Sequence, residues 1–176
     1  MSALIYIVET LLSLVYFVFL LRLLLQLVRA DFRNPLSQAI VKLTNPLIMP
    51  LRRVLPPAGK LDTASIVAVL LVALAEVGIL YALRAGAPPD ALTWLRLAVL
   101  GMLSKLLWVY FYAILLYALV SLIAPNQYSP VAALLAALCE PVLRPIRRLI
   151  PPVAGLDLSP LWACIALQAA LILLRG

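Results

Sequence analysis

The chain has 176 residues, of which 66% are hydrophobic and 12% charged, with a mean hydropathy of +1.13. A soluble domain is nearer half apolar and a quarter charged, so these values belong to an integral membrane protein, with length for four spans of about 20 residues each. The chain carries a net charge of +7 and no histidine; this excludes a Ser-His-Asp or Cys-His site within the chain and removes the commonest zinc and haem ligand.

The first apolar run occupies residues 3–28, with Glu9 near its start and Arg22 near its end. It lacks a basic leader and an Ala-x-Ala cleavage pattern, so it reads as a retained transmembrane helix. Arg22 lies late enough in the span for its long side chain to snorkel to the interface.

Residues 34–61 form a hook. Asn34-Pro35 breaks the first helix or its extension. Leu36, Ile40, Leu43 and Leu47 then recur at helical spacing, which predicts a short amphipathic helix on the membrane surface. Pro46, Pro50, Pro56 and Pro57 are expected to forbid a continuous helix. A surface-lying hook and a shallow re-entrant turn both remain open.

Asp62, with Ser65 three residues on, has the form of an N-cap for a second span over residues 63–83. Glu76 falls inside that span. Residues 84–90, Arg-Ala-Gly-Ala-Pro-Pro-Asp, make a tight loop. The third apolar run, 94–124, is longer than a perpendicular crossing needs and is expected to tilt or overhang. Lys105 lies within it, and Trp94, Trp108, Tyr110, Tyr112 and Tyr117 include candidate interface anchors. Ala124-Pro125-Asn126 closes it. A second hook covers 129–156, and the last span runs over 158–174, opened by Asp157-Leu158-Ser159-Pro160. The chain stops at Arg175-Gly176, which is read as the lack of a cytosolic domain.

The two hooks share one pattern. Residues 45–57 (NPLIMPLRRVLPP) and 140–152 (EPVLRPIRRLIPP) align at a constant offset of 95 positions, as do Leu61-Asp62 and Leu156-Asp157. Pro46, Pro50, Arg52, Arg53 and Pro56 thereby match Pro141, Pro145, Arg147, Arg148 and Pro151. Such register predicts a duplicated unit, with repeats over 1–90 and 91–176. The fold class is therefore an all-α membrane protein: four transmembrane helices as two two-span repeats. Six Lys or Arg in the first connecting loop, residues 29–61, and three in the second hook place both hooks in the cytoplasm and both termini outside. The repeats are then parallel rather than inverted.

The repeated hook with Asp157, Ser159 and Pro160 resembles the YggT/YlmG family of small membrane proteins, over nearly the whole chain as two tandem units. The first unit departs after Asp62, with Thr63-Ala64-Ser65 in place of Leu-Ser-Pro. The resemblance implies residence in the bacterial inner membrane and links to osmotic tolerance and cell-division organisation. Plastid relatives imply haem attachment to cytochrome b6 and nucleoid distribution. It supplies no catalytic residue.

Arg52, Arg53, Arg147 and Arg148 are candidates to grip an anionic lipid, a phosphate-bearing partner or the acidic face of another membrane protein; topogenic charge is the simpler reading. Asp62 and Asp157 either cap helices or pair with those arginines, and the two roles are compatible. Glu9, Glu76 and Lys105 are intramembrane charges, with Glu76 or Glu9 expected to pair with Lys105, as a structural ion pair or as part of a cation path. Cys139 and Cys164 read as packing residues. The pattern points to a non-enzymatic scaffold or assembly factor that needs no cofactor. Its partners are the bilayer with its anionic headgroups and a membrane protein, not nucleic acid. The alternative is a small channel or transporter for osmotic or ion balance, which needs a homo-oligomer.

Overall fold

The structure, a computed structural model, describes residues 3–56, 62–85, 89–123, 129–150 and 157–175. Pro57, Leu61, Pro125, Asn126, Pro151, Pro152 and Leu156 lie outside them. The described residues form six α-helices and no strand: α1 (Ala3–Leu27), α2 (Pro35–Val54), α3 (Thr63–Ala85), α4 (Ala91–Ile123), α5 (Pro130–Leu149) and α6 (Ser159–Arg175).

Three of them, α1, α3 and α4, are long and apolar enough to cross a membrane. The expected fourth span is α6, which is apolar but has only 17 residues. At 1.5 Å per residue it rises about 25 Å, short of the ~30 Å hydrocarbon core. Three spans, not four, therefore meet the length requirement.

Local chemistry sets the helix ends. α1 stops at Leu27, before Asn34-Pro35, because Arg29 adopts a left-handed φ of 53° and the Ala30 N–H turns back to the Leu25 carbonyl at 2.8 Å. This is a Schellman-type ending with arginine where glycine is usual. Asn34-Pro35 instead starts α2: the Asn34 side chain accepts from the Leu36 N–H at 2.9 Å, and Pro35 takes the first helical position. At α5, Ser129 accepts from the Ala132 N–H at 3.0 Å, ahead of Pro130. Asp90 starts α4 in the same way, and the hydrogen bond from the Thr93 N–H holds its carboxyl below the ordinary aspartate range.

The prolines do not interrupt the hooks. α2 continues through Pro46 and Pro50, and α5 through Pro141 and Pro145. All four are exposed, on the helix face opposite the buried Thr44 and Ile48 of α2 and the buried Cys139 and Leu143 of α5. A proline one turn above another loses one main-chain donor each time and opens the helix on its own side. On an outward face that costs far less than in a packed interior. Pro56 lies just past the end of α2 and is exposed. The apolar residues of α2 also point outward: Leu36, Leu43 and Leu47 are exposed, whereas the small polar Ser37 and Thr44 are buried.

The chain divides into two compact units, Met1–Leu23 with Ala39–Lys105, and Leu24–Gln38 with Leu106–Gly176. In the first, α3 buries Val69 together with Ala64, Ser65, Ala68 and Ala73, the last four being small residues that let membrane helices approach closely. Gly78 continues this pattern: a Cβ there would lie 2.5 Å from the Trp94 ring, whose Nε1 donates to the Leu74 carbonyl at 2.8 Å. In the second unit α5 packs on α6, and Leu138, Cys139 and Leu143 are buried.

Candidate functional site

The first hook is closed by Arg52 and Asp62. The Asp62 Oδ2 accepts from Arg52 Nη2 at 2.5 Å and Nε at 3.2 Å, and from the Ser65 hydroxyl at 2.7 Å. The Asp62 side chain is only 5% exposed, against 48% for Arg52. The Asp62 main-chain carbonyl accepts from the Ser65 and Ile66 N–H groups, so Asp62 stands at the N-cap position of α3 while its side chain pairs with Arg52. Thr63 adds a hydrogen bond to the Pro56 carbonyl at 2.8 Å.

A residue from α1 completes this hook. Arg22 does not snorkel; it is 4% exposed. Its Nη1 donates to Thr44 Oγ1 at 2.6 Å, Asn45 Oδ1 at 2.9 Å and the Val41 carbonyl at 3.2 Å. An intramembrane arginine is costly unless its donors are met. Here Val41, Thr44 and Asn45 of α2 meet those of Nη1, which accounts for the inward-facing Thr44.

The second hook uses the matching pair. Arg147 Nε donates to Asp157 Oδ2 at 2.8 Å, Nη1 to Glu140 Oε2 at 2.9 Å and Nη2 to the Tyr117 hydroxyl at 3.2 Å. Asp157 Oδ1 accepts from the Ser159 N–H at 2.9 Å. Ser159 and Pro160 are buried at the start of α6. This site is more open than the first: the Asp157 side chain is 42% exposed. Burial alone would raise the Asp157 carboxyl, but hydrogen bonds from Ser159 and the Arg147 guanidinium outweigh it and hold it below the ordinary aspartate range. Burial likewise acts to lower Arg147, and its bonds to Asp157 and Tyr117 raise it further above its usual value.

Each arginine pair is thus split. Arg52 and Arg147 are spent on the fold of the hook. Arg53 and Arg148 are exposed, and no side chain among the described residues engages them. Arg22 and Tyr117 are the participants that the motif leaves out. They stand 95 positions apart, the offset of the hooks themselves, and that register was the signal available for finding them.

The intramembrane charges form a separate cluster in the first unit. Lys105 Nζ pairs with Glu76 Oε2, whose other oxygen accepts from the Ser13 hydroxyl at 2.8 Å. Lys105 also lies 3.4 Å from Ser13 Oγ and 4.3 Å from the centre of the Tyr16 ring. Glu9 lies elsewhere, in a 2.7 Å ion pair with Arg84. Cys139 is buried and Cys164 partly so, both free thiols, and burial pushes the Cys139 thiol up to about 12. Such a thiol is almost wholly protonated near neutrality and a poor nucleophile.

Long apolar helices, amphipathic hooks between them and charges met by internal partners define a small all-helical membrane protein. The chain belongs to the CCB3/YggT family, whose model matches residues 1–83 and 97–176. It is 44% identical over 168 residues to an uncharacterized protein of Pseudomonas aeruginosa, covering 95% of this chain and 85% of that one. A Vibrio alginolyticus protein, described as uncharacterized and encoded 3′ of proC, is 37% identical over 97% of this chain and 92% of its own length. YggT of Escherichia coli K12 is 35% identical over 92% and 83% respectively. These similarities indicate no enzyme family. No solved structure matches the chain.

Proposed function

We propose that the chain is a non-enzymatic scaffold or assembly factor of the bacterial inner membrane, built as two parallel repeats over 1–90 and 91–176 with both hooks at the cytoplasmic face. The offset of 95 supports the repeat: α2 and α5 start and end at matching positions, and the family model matches in two segments. α6 then serves as a fourth crossing, with the bilayer thinned locally around it. The observation that carries the function is the split of each arginine pair. One guanidinium closes the hook and the next, Arg53 or Arg148, is left outward with its donors unspent, in the place where a membrane-protein partner would meet it.

The test is co-purification from gently solubilised native membranes, read by mass spectrometry, with wild type against Arg53→Ala/Arg148→Ala. These positions leave the closing pairs intact. A partner recovered by wild type and lost by the variant is the expected result. Equal recovery by a folded variant would remove the hooks from partner binding.

The second reading is a small oligomeric channel or transporter for osmotic or ion balance, favoured by the polar Ser13, Glu76 and Lys105 cluster within the spans. Glu76 and Lys105 neutralise each other there, which suits a structural pair better than a path. Flux through reconstituted protein that is abolished by Glu76→Gln would reverse this preference.

A further inference from the structure

The outward stripe of α5 consists of Pro141, Arg144, Pro145, Arg148 and Leu149, all exposed. Arg144 and Arg148 are one helical turn apart, so their Cβ atoms lie about 6 Å from each other on the same face. Neither meets a partner among the described residues. The nearby acid, Glu140, is already taken by Arg147. The stripe therefore presents two free guanidiniums within reach of one anion.

The prolines of the same stripe remove the usual intrahelical donor of two carbonyls. Pro141 and Pro145 lack the N–H groups that would bond the carbonyls of Ala137 and Pro141. A carbonyl without a donor is costly in hydrocarbon, whereas at headgroup depth water and headgroup donors satisfy it. Leu149, 81% exposed, gives the same face an apolar edge to set against acyl chains. Free cations, carbonyls without their usual intrahelical donor and an apolar rim meet together at the boundary between headgroups and chains.

We propose that this stripe is a binding site for the phosphate of an anionic phospholipid, held between Arg144 and Arg148. The inference rests on the proposed surface placement of the hooks and names one partner for the second; it does not need a protein partner. The first hook is the internal comparison. Met49 occupies the position of Arg144, and the free cations of the corresponding stripe are Lys42 and Arg53. They stand eleven residues apart, about 16 Å along the helix, too far to share one phosphate.

The experiment uses the purified full-length protein in a neutral detergent, with no partner present, so that it cannot fail for the reason co-purification fails. The protein is given equal phosphatidylglycerol and phosphatidylcholine, and retained lipid is counted by native mass spectrometry. Wild type retains one phosphatidylglycerol selectively. Arg144→Ala/Arg148→Ala lowers that selectivity about thirty-fold, the worth of two surface cations, and Lys42→Ala/Arg53→Ala lowers it no more than about five-fold. Arg144→Lys/Arg148→Lys keeps the charge but loses the forked geometry, and falls between. Matching helix content by circular dichroism establishes that each variant is folded, and Arg144→Gln/Arg148→Gln stands in for any that is not.

Unchanged selectivity in the folded Arg144/Arg148 variant would overturn the site. So would an equal loss in the two alanine pairs, or full retention by the lysine pair, since either reduces the effect to unplaced charge. Displacement of the lipid by inorganic phosphate at equal concentration would make free phosphate the ligand and overturn the assignment to lipid.

Discussion

Asp62 and Asp157 occupy the same place in the two hooks, yet removing them should differ in cost. Asp62 is buried, stands at the N-cap position of α3, and its side chain accepts from two nitrogens of Arg52 and the Ser65 hydroxyl. The main-chain carbonyl of residue 62 is kept in an alanine variant, so what is lost is the set of charged hydrogen bonds, about 1.5–3 kcal/mol. Arg52 is half exposed and can turn to water, so no stranded-charge penalty is added. Asp62→Ala should therefore destabilise by about 1.5–3 kcal/mol. Asp157 is 42% exposed, and Arg147 retains Glu140 and Tyr117 without it. A screened pair of that kind is worth at most about 1 kcal/mol. Reversible unfolding in mixed micelles with a denaturing detergent, followed by helical circular dichroism, measures both. Double-mutant cycles with Arg52→Ala and Arg147→Ala isolate the pair terms. Equal losses, or a larger loss for Asp157→Ala, would refute the claim that burial rather than motif sets the worth of each pair.

Replacing Arg22 by Met should release α2 and cost about 2–3 kcal/mol, the scale of a charged hydrogen-bond set; hydrogen exchange across residues 37–48 should rise, and unchanged protection would remove Arg22 from the hook. Glu76→Gln and Lys105→Met should each destabilise by about 3 kcal/mol, and the double variant by much less, because a lone charge in the membrane is worse than none; additive losses in the micelle assay would contradict this. Gly78→Ala forces Trp94 aside and should cost about 1–3 kcal/mol, with a changed tryptophan emission as its signature. The lowered Asp157 carboxyl makes its contribution complete above the ordinary aspartate pKa of about 3.9, and lost as pH falls through the lower folded value. Amide exchange at the start of α6 should thus quicken only in strong acid, and quickening already near pH 6 would exclude Asp157 as the cause.

Hydropathy and capping chemistry made the helices legible, and the structure places their ends within three residues of the expected bounds for the apolar runs. The hooks were misread at their prolines. A proline is a helix breaker where its missing donor and its ring meet packed neighbours; Pro46, Pro50, Pro141 and Pro145 meet neither, and only the fold shows which face they occupy. Arg22 was misread for a related reason. Snorkelling is the fate of an arginine without acceptors, and its acceptors Val41, Thr44 and Asn45 come from another helix. The pairing of Asp62 with Arg52 and of Asp157 with Arg147 could be read from spacing, but the split within each Arg-Arg pair could not. Adjacent residues on a helix point about 100° apart, so only the direction of the helix decides which one meets the aspartate.

The two hooks show how far one motif determines a local structure. Prolines, arginines and aspartate keep their spacing in both copies, and the closing ion pair forms in both. What differs lies at the positions between and around these shared residues. In the first copy Ser65 and Arg22 enclose the polar groups, and the aspartate, at the N-cap position of α3, is the counter-ion. In the second, Pro160 stands where Ser65 would, so no hydroxyl reaches the aspartate from that position. Tyr117 stands where Arg22 would, so Arg147 donates to a hydroxyl and Glu140 instead of facing a second buried cation. The second hook consequently keeps its counter-ion near the surface. With Arg144 replacing an apolar residue, it also carries its two free guanidiniums on adjacent turns. The first hook is thus the more firmly held, and the second is the one with charge left to spend on something outside the chain.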